Sequence, residues 1–408
     1  MRQNPRFGML LGNAIEHYDL SLYAYLAPFL APAFFPTHDP TVGLLLIYLL
    51  VPIGFIARPL GAYLIGNIGD YVGRKRALVI SIMGTGIATF TIGCLPPYTE
   101  IGVVAPLLLV VCRSFQSFFV GAEFNGGAIC ALEHTSPKRH GMISGLYCVG
   151  SVVGILAASL AAWLVSCYPA LTWRFPFFLS FLTALIALYL RSTMTDLPLK
   201  ESVSQAKISL TQLLSLYRID FLRVIGVSGL FYTVYAIPSI FLNAYVPMIS
   251  DVSLESMMLL SSVGLVIYMG SLATFGALSD IVSCEKIMKI SALLILVLSY
   301  PLFFLLYDIS ITKILIFKGI FAILAGAFNG SFHAWVLPLF QYDHRYRGIS
   351  LGYSLGSQLI GSSAPAICLW MWSQTHFVPA PAFYLMFCSF TGLACVSRVR
   401  MKQQVEAV

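Results

Sequence analysis

The chain has 408 residues, of which 58% are hydrophobic and 10% charged, whereas soluble domains have roughly 45–50% and 25%. A water-soluble fold could not bury that much apolar surface, so the composition excludes an ordinary soluble protein. The net charge of +7 does not predict a nucleic-acid partner, because Lys and Arg are neither clustered on one amphipathic face nor gathered in a basic tail.

Apolar stretches follow one another along the chain, and each is near the roughly 20 residues that a helix needs to cross a bilayer. Breaks at charged residues and at Pro or Gly divide them into two sets of six predicted helices. The first set lies at 8–34, 42–66, 77–96, 102–132, 141–166 and 174–193. The second set lies at 221–249, 256–280, 288–306, 312–339, 348–372 and 381–400. The sequence therefore predicts an all-α membrane protein of twelve transmembrane helices.

A polar stretch at 194–220 separates the two sets and predicts a linker between an N-terminal six-helix half, 1–193, and a C-terminal half, 221–408. Most Lys and Arg fall in the loops on one side of this arrangement. Short basic loops stay on the cytoplasmic side during insertion, so both termini are predicted to be cytoplasmic, as the linker is.

The loops after the second and eighth predicted helices repeat one pattern. The first reads GNIGDYVGRKR at 66–76, and the second reads GALSDIVSCEK at 276–286. Asp70 and Asp280 stand at equivalent places, and their offset (280 − 70 = 210) equals that of Gly66 and Gly276. A shared offset predicts a duplicated six-helix unit, with a binding site near the middle of the membrane between the two copies.

The chain resembles the major facilitator superfamily, because the 66–76 loop matches that family's signature between its second and third helices. Within the superfamily it is similar to the metabolite:proton symporters, which include proline/betaine, 2-oxoglutarate, citrate and shikimate carriers. Four segments carry this likeness: GNAIEHYDLSLYAYLAPFLAPAFFP, RPLGAYLIGNIGDYVGRKRA, CRSFQSFFVGAEFNGGA and WRFPFFLS. The chain departs from the family at His17, where Trp is usual, at Ser117, where Gly is usual, and at Ser283 and Cys284, where a Gly-Arg pair is usual.

The first predicted helix carries polar side chains within a sector of about 120°: Asn13, Glu16, Asp19 and Tyr23. A stripe of this kind predicts one wall of a water-filled cavity. Glu16 and Asp19 could share a proton, because two like charges one turn apart disfavour ionising both; alternatively, one acid pairs with Arg113 or Arg58 as a structural lock. His17 replaces the family's usual Trp and is the position expected to have changed substrate preference.

In the fourth predicted helix, Arg113, Gln116 and Glu123 share a face of about 80°. The resemblance implies that Arg113 takes part in proton transfer or substrate anchoring. Its planar guanidinium suits a carboxylate, so it could hold a substrate or exchange between substrate and acid. The alternative is a permanent ion pair with Glu123 or Asp19.

In the tenth predicted helix, Lys318, Asn329 and His333 form a stripe expected to face the cavity from the second half. Lys318 could instead extend toward the outer membrane surface from the helix end, and His333 could be a packing residue. All three are interpreted as candidate substrate-binding residues.

Two groups of residues are candidate gates at the cytoplasmic face. The resemblance implies that the first loop, with Gly66, Asp70, Arg74 and Arg76, latches the halves together; the alternative is topological anchoring alone. A second group is predicted to act as gate charges and polar contacts: Asp280, Glu133, Arg139 and Arg347, with Lys138 and Arg345 beside them.

The sequence gives less support to other classes of function. The nine cysteines show no metal-ligand or redox spacing, so no metal or cofactor is predicted apart from a coupling proton. No Gly-rich phosphate loop occurs, which excludes an ATP-driven pump, and no constellation indicates an enzyme. A sensor that kept the fold, and a facilitator without proton coupling, remain alternatives.

The sequence thus predicts a proton-coupled symporter in a bacterial inner membrane, with a small-molecule substrate and the lipid bilayer as its partners. It is expected to be a monomer. A zwitterionic osmolyte such as proline or betaine competes with a mono- or dicarboxylate as substrate, because each carries a carboxylate.

Overall fold

The structure, a computed structural model, describes residues 5–50, 54–71, 74–121, 123–133, 135–168, 170–192 and 209–396. The fold is helical, with 88% helix, and these residues contain no strand. Helices lie over each of the twelve ranges predicted from the sequence, with ends that differ by a few residues.

The long helices are labelled α1 to α12, and several consist of two or three consecutive segments. The first six are α1 (Pro5–Tyr25, Ala27–Phe34), α2 (Pro40–Leu50, Gly54–Tyr71), α3 (Arg74–Cys94), α4 (Val104–Val120, Glu123–Glu133), α5 (His140–Cys167) and α6 (Arg174–Ser192). The last six are α7 (Arg218–Ala236, Ile237–Phe241, Leu242–Ile249), α8 (Leu254–Leu278), α9 (Cys284–Phe304), α10 (Ile311–Gly330, Phe332–Val336), α11 (Tyr342–Gly356, Ser357–Gly361, Ala364–Thr375) and α12 (Ala380–Cys395).

Within the described part of the chain, six helical stretches are both long and apolar enough to cross a membrane: Val104–Glu133, Pro137–Cys167, Arg218–Ile249, Leu254–Leu278, Cys284–Tyr307 and Ile311–Leu339. Shorter apolar helices, such as Pro40–Leu50 and Ala380–Cys395, lie over other predicted ranges. These helices expose many large aliphatic and aromatic side chains, as lipid-facing helices do.

Two helices are interrupted by a π turn, at Ile237–Phe241 in α7 and at Ser357–Gly361 in α11. Pro238 lies in the first of these turns and has no backbone N–H, so the regular hydrogen-bond ladder cannot continue through it. Such single-turn bulges leave carbonyl groups available to other partners and are frequent at functional sites. Both turns lie beside the cavities described below.

Glycines bring α5 and α8 into backbone contact across the boundary between the first six and last six helices. A Cβ added at Gly145 would lie 2.4 Å from the carbonyl oxygen of Leu272, and one at Gly276 would lie 2.8 Å from the Cα of Gly145. On the other side of α5, a Cβ at Gly154 would lie 1.8 Å from the carbonyl oxygen of Ala14 in α1. Larger side chains at these positions would force the helices apart.

A short helix, Leu210–Leu216, lies within the stretch predicted to be a linker. Ser209 caps it: its hydroxyl accepts from the Gln212 backbone N–H, and the Gln212 side chain accepts from the Ser209 N–H. This reciprocal cap explains why a polar stretch begins a helix. Residues 194–208 lie outside the described part, so the linker boundary stays a prediction.

Candidate functional site

A central cavity lies between the first six and last six helices. Its walls come from α1, α2, α4 and α5 on one side, and from α7, α8 and α11 on the other. Its polar and aromatic lining includes His17, Arg58, Arg113, Ser117, Tyr232, Tyr235, Tyr268, Tyr353 and Gln358. A cavity shared by both halves is where a transporter built from two repeats binds its substrate.

Two buried guanidinium groups supply the charge of this cavity. Arg58 in α2 is 7% exposed and Arg113 in α4 is 5% exposed. Their helices approach closely, because a Cβ at Gly121 would lie 2.1 Å from the carbonyl oxygen of Arg58. The Nε–H group of each arginine has no hydrogen-bond acceptor. The lining described for the cavity contains no Asp or Glu, so the site favours an anionic group.

Arg113 is held in place by uncharged neighbours. Its guanidinium lies 4.2 Å from the centroid of the Tyr23 ring, in a cation–π arrangement, and donates to the side-chain oxygen of Gln116. Gln116 in turn donates to the backbone oxygen of Asp19, at 3.1 Å, and to Thr89 Oγ1, at 2.7 Å. Gln116 and Tyr23 therefore orient Arg113 and are not among the residues that line the cavity, so their role in substrate binding stays a prediction. The side chain of Glu123 lies outside the described residues, and its predicted role is untested.

The predicted polar wall of α1 is wrong in this structure. The positions that line the cavity are His17, Leu20, Ser21 and Ala24, whereas Asn13, Glu16, Asp19 and Tyr23 are absent from its lining. Asn13 and Tyr23 instead make hydrogen bonds to neighbouring helices, and Tyr23 Oη donates to the backbone oxygen of Ile47 at 3.0 Å. Asn13 donates to the backbone oxygen of Tyr147 and to Ser151 Oγ, at 3.1 and 2.9 Å.

His17 lines the central cavity, and its effect on substrate preference stays a prediction. Its Nδ1 lies 2.9 Å from the backbone oxygen of Asn13, and its ring packs edge-on against Phe124, with centroids 5.1 Å apart. The acids Glu16 and Asp19 are each 2% exposed on the adjacent sector of the same helix. A proton-coupling role for them stays a prediction.

The stripe predicted in α10 does not face the central cavity as a unit. Asn329 donates to the backbone oxygen of Phe231 at 3.0 Å and to Tyr268 Oη at 2.7 Å. His333 packs between helices. Its backbone N–H donates a hydrogen bond to Ser144 Oγ, and its Nδ1 lies 3.7 Å from Cys148 Sγ. Lys318 lines a second, smaller cavity. Lys318 and Asn329 lie about 16 Å apart along the helix axis, so residues on one face meet different partners, which the spacing alone could not show.

Aromatic rings close the central cavity at one end, around Phe124. The Phe124 ring lies 5.0 Å from that of His333 and 5.3 Å from that of Tyr353, measured between centroids. Both partners belong to the last six helices, and Phe231 of α7 lies 6.4 Å away. Phe124 therefore joins the two halves below the arginines, and the layer must separate before the cavity can open at this end.

Replacing Phe124 by alanine should open this end of the cavity more often. Aromatic pairs contribute about 0.5–1.5 kcal/mol each, and a loss of about 1 kcal/mol corresponds to a roughly 5-fold change in population. Cys148 lines the cavity, so its labelling by N-ethylmaleimide in inside-out vesicles should become about 5-fold faster. Cys148→Ser gives the background rate; an unchanged rate in Phe124→Ala would show that the layer is not a barrier.

Beyond this aromatic layer, two polar contacts link the halves. Both oxygens of the Asp280 carboxylate accept backbone hydrogen bonds from the start of α5, from Gly141 at 2.6 Å and from Met142 at 2.9 Å. Glu133 at the end of α4 forms an ion pair with Arg345 in α11, with nitrogen and oxygen 2.9 Å apart. The predicted gate residues Asp280 and Glu133 therefore lie at the contact between halves.

The structure shows less about the contacts of the other predicted gate residues. Arg76 and Arg139 are exposed, Arg139 in the short turn Pro137–Arg139, and Arg347 lines a small cavity with Leu213. The packing of Gly66 and the side chains of Asp70 and Arg74 lie outside what the structure describes. The predicted latch of the first loop is therefore untested.

Sequence reasoning did not assign Arg58, Phe124 and Tyr353 to the site. Arg58 carried a signal, because a charge within an apolar helix usually faces a cavity or a partner. The rings carried none, since aromatic residues make up 13% of the chain and nothing in their spacing separates cavity positions from packing positions.

Comparisons with known proteins agree with this architecture. A family model described as Major Facilitator Superfamily matches residues 9–366. The inner membrane metabolite transport protein YhjE of Escherichia coli strain K12 is 32% identical over 95% of this chain and 91% of its own length. The proline/betaine transporter of the same strain is 27% identical over 96% of this chain and 82% of its own.

A crystal structure of a D-xylose-proton symporter superposes with a TM-score of 0.75, covering 96% of this chain and 95% of that one, at 15% sequence identity. The resemblance inferred from the sequence motifs is thereby confirmed. The chain belongs to the Major Facilitator Superfamily, a family of membrane transporters and not of enzymes.

Proposed function

We propose that this transporter is a proton-coupled symporter for a small polar metabolite that carries a carboxylate group. It spans a bacterial inner membrane twelve times, with both termini in the cytoplasm, and exposes the central cavity to each side in turn. It works as a monomer and needs no cofactor besides the coupling proton. The observation that carries the proposal is the pair of buried guanidinium groups, Arg58 and Arg113, in a cavity shared by both halves.

The cavity chemistry supports a carboxylate-bearing substrate. A guanidinium presents several N–H donors in a planar fork that matches a carboxylate, and both Nε–H groups here have no acceptor. Tyr232, Tyr235 and Tyr268 add hydroxyl groups and ring faces to the opposite wall. The names of the proline/betaine relatives fit a zwitterion, whose cationic end could contact these rings. Two arginines also favour a dicarboxylate, as a second candidate.

The buried acids of α1 support proton coupling. Glu16 and Asp19 lie one turn apart, and an ionised carboxylate is costly in the membrane interior. Gln116 joins the Asp19 backbone to the Arg113 guanidinium, so a change at either end can reach the other. Proton binding near Asp19 and substrate binding at Arg113 would in this way bias the same rearrangement.

Uptake into proteoliposomes tests the proposal. Labelled proline, glycine betaine, 2-oxoglutarate, citrate and shikimate are supplied with and without an inward proton gradient. We expect the gradient to drive accumulation of one of these compounds. Asp19→Asn should abolish accumulation above equilibrium, because the asparagine amide cannot bind and release a proton, while exchange of substrate persists. Asp39→Asn, an exposed carboxylate that caps the Thr41 N–H, is the matched control and should leave uptake unchanged.

Other outcomes identify the alternatives. Equal uptake with and without the gradient would mean a facilitator and contradict proton coupling. Ligand binding without uptake would indicate a sensor that retains the fold.

A further inference from the structure

Lys318 is a buried cation that is not among the residues lining the central cavity. It is 2% exposed and lies seven residues into α10, about 10 Å along the helix axis from its start. Extension to the membrane surface, one of the expectations from the sequence, therefore does not occur. The described residues that line its small cavity include no Asp or Glu.

Three uncharged oxygen atoms surround the Lys318 ammonium group. Its Nζ donates to the backbone oxygen of Pro238 at 2.8 Å, to Asn243 Oδ1 at 2.9 Å and to Ser261 Oγ at 2.5 Å. An ammonium has three N–H donors, so all of them are used. A buried charge persists only where its neighbours replace water, and here neutral oxygens from α7 and α8 do so.

The π turn in α7 makes this arrangement possible. Pro238 stands in the turn, and its backbone oxygen accepts from Lys318. Asn243, one turn further along, is fixed by donating to the Ser239 backbone oxygen at 2.9 Å. Carbonyl groups released where a membrane helix unwinds are the ligands that transporters use for coupling cations.

The small cavity adjoins the central one. Tyr235 and Tyr268 line both cavities, and their rings stack at 6.3 Å between centroids. Any change in what fills the small cavity therefore reaches the wall of the central cavity through these two rings.

We propose that Pro238 O, Asn243 Oδ1 and Ser261 Oγ form a monovalent-cation site in the last six helices, and that Lys318 fills it with its own ammonium group. The lysine takes the place that a free ammonium or alkali-metal ion would otherwise occupy. It fixes the π turn and the adjacent tyrosines in their cavity-lining position without drawing on an external ion.

Emptying the site and supplying a free cation tests this directly. Lys318→Ala removes the ammonium group and leaves the three oxygens around a vacant volume. Because buried hydrogen-bonding groups that lose their partner are costly, we expect a lower melting temperature and an uptake loss of about 10-fold or more. Millimolar ammonium, methylammonium or Na⁺ chloride should raise the melting temperature of this variant and restore part of its uptake. Choline chloride at equal ionic strength should not, because choline is too large.

Two variants serve as controls. Lys318→Met fills the volume without a charge and should be impaired but insensitive to added cations, and Ile316→Ala, on the exposed face of the same helix, should behave like the wild type. Wild-type stability and uptake in Lys318→Met, or equal responses of Lys318→Ala to choline and ammonium, would overturn the proposal.

A further variant keeps the proposal testable if Lys318→Ala does not fold. Asn243→Asp places a carboxylate against the ammonium group. If the Lys318 ammonium fills the site as a cation, the melting temperature of this variant should be close to that of the wild type, because the new carboxylate pairs with the ammonium group. A large fall in melting temperature would show that no cation is present to pair with it.

Discussion

Replacing Arg113 by glutamine is expected to reduce carrier-mediated uptake by about 30-fold or more. Removing one partner of a buried, hydrogen-bonded charge contact costs about 2–5 kcal/mol, and 2 kcal/mol corresponds to roughly 30-fold. Glutamine retains hydrogen bonding but loses the charge, so it isolates the electrostatic contribution to holding a substrate carboxylate. The measurement is the initial rate of uptake into proteoliposomes as a function of substrate concentration.

Two further variants make this result specific. Arg113→Lys keeps the charge but not the planar fork, and should retain intermediate activity. Arg174→Gln is the matched control, because Arg174 also lies over an aromatic ring, 4.4 Å from the Trp173 centroid, and donates to the backbone oxygen of Leu95, but it does not line the cavity. Equal losses in Arg113→Gln and Arg174→Gln would point to general destabilisation and contradict an anchoring role.

Replacing Asp280 by asparagine is expected to shift the protein toward the state that is open on the side proposed to face the cytoplasm. The carboxylate accepts two N–H bonds at the start of α5, where a negative charge also interacts favourably with the helix dipole. Asparagine keeps one acceptor and presents an amide N–H₂ to the other donor. A loss of about 1–2 kcal/mol would change the populations by roughly 5- to 30-fold.

Spin labels at the exposed positions 138 and 286, which flank this contact, measure the effect. Their distance distribution should gain a longer component in Asp280→Asn. Asp308→Asn removes another carboxylate, one that is exposed and paired with Lys313 at 2.5 Å, and should leave the distribution unchanged. A distribution that is also unchanged in Asp280→Asn would mean that this contact does not hold the halves together.

Hydrophobic stretches and local motifs were enough to predict the course of the helices and the family. The positions of helices follow from stretch length, because a membrane helix must satisfy its own backbone hydrogen bonds within one apolar segment. Asp280 was predicted to be a gate residue, and it lies at a contact between the halves. The charge within an apolar helix at Arg113 indicated a cavity residue, and the cavity contains it.

Which face of each helix lines a cavity was decided only by tertiary structure. The α1 stripe with Asn13 looked like a cavity wall, yet His17 and Ser21 line the cavity, because a polar side chain in a membrane can also be satisfied by a partner on a neighbouring helix, as Asn13 is by Ser151. Lys318 shows the same point: its oxygen partners come from α7 and α8, up to 80 residues away in the chain. Helix periodicity fixes which residues share a face, but only packing against other helices determines what that face meets.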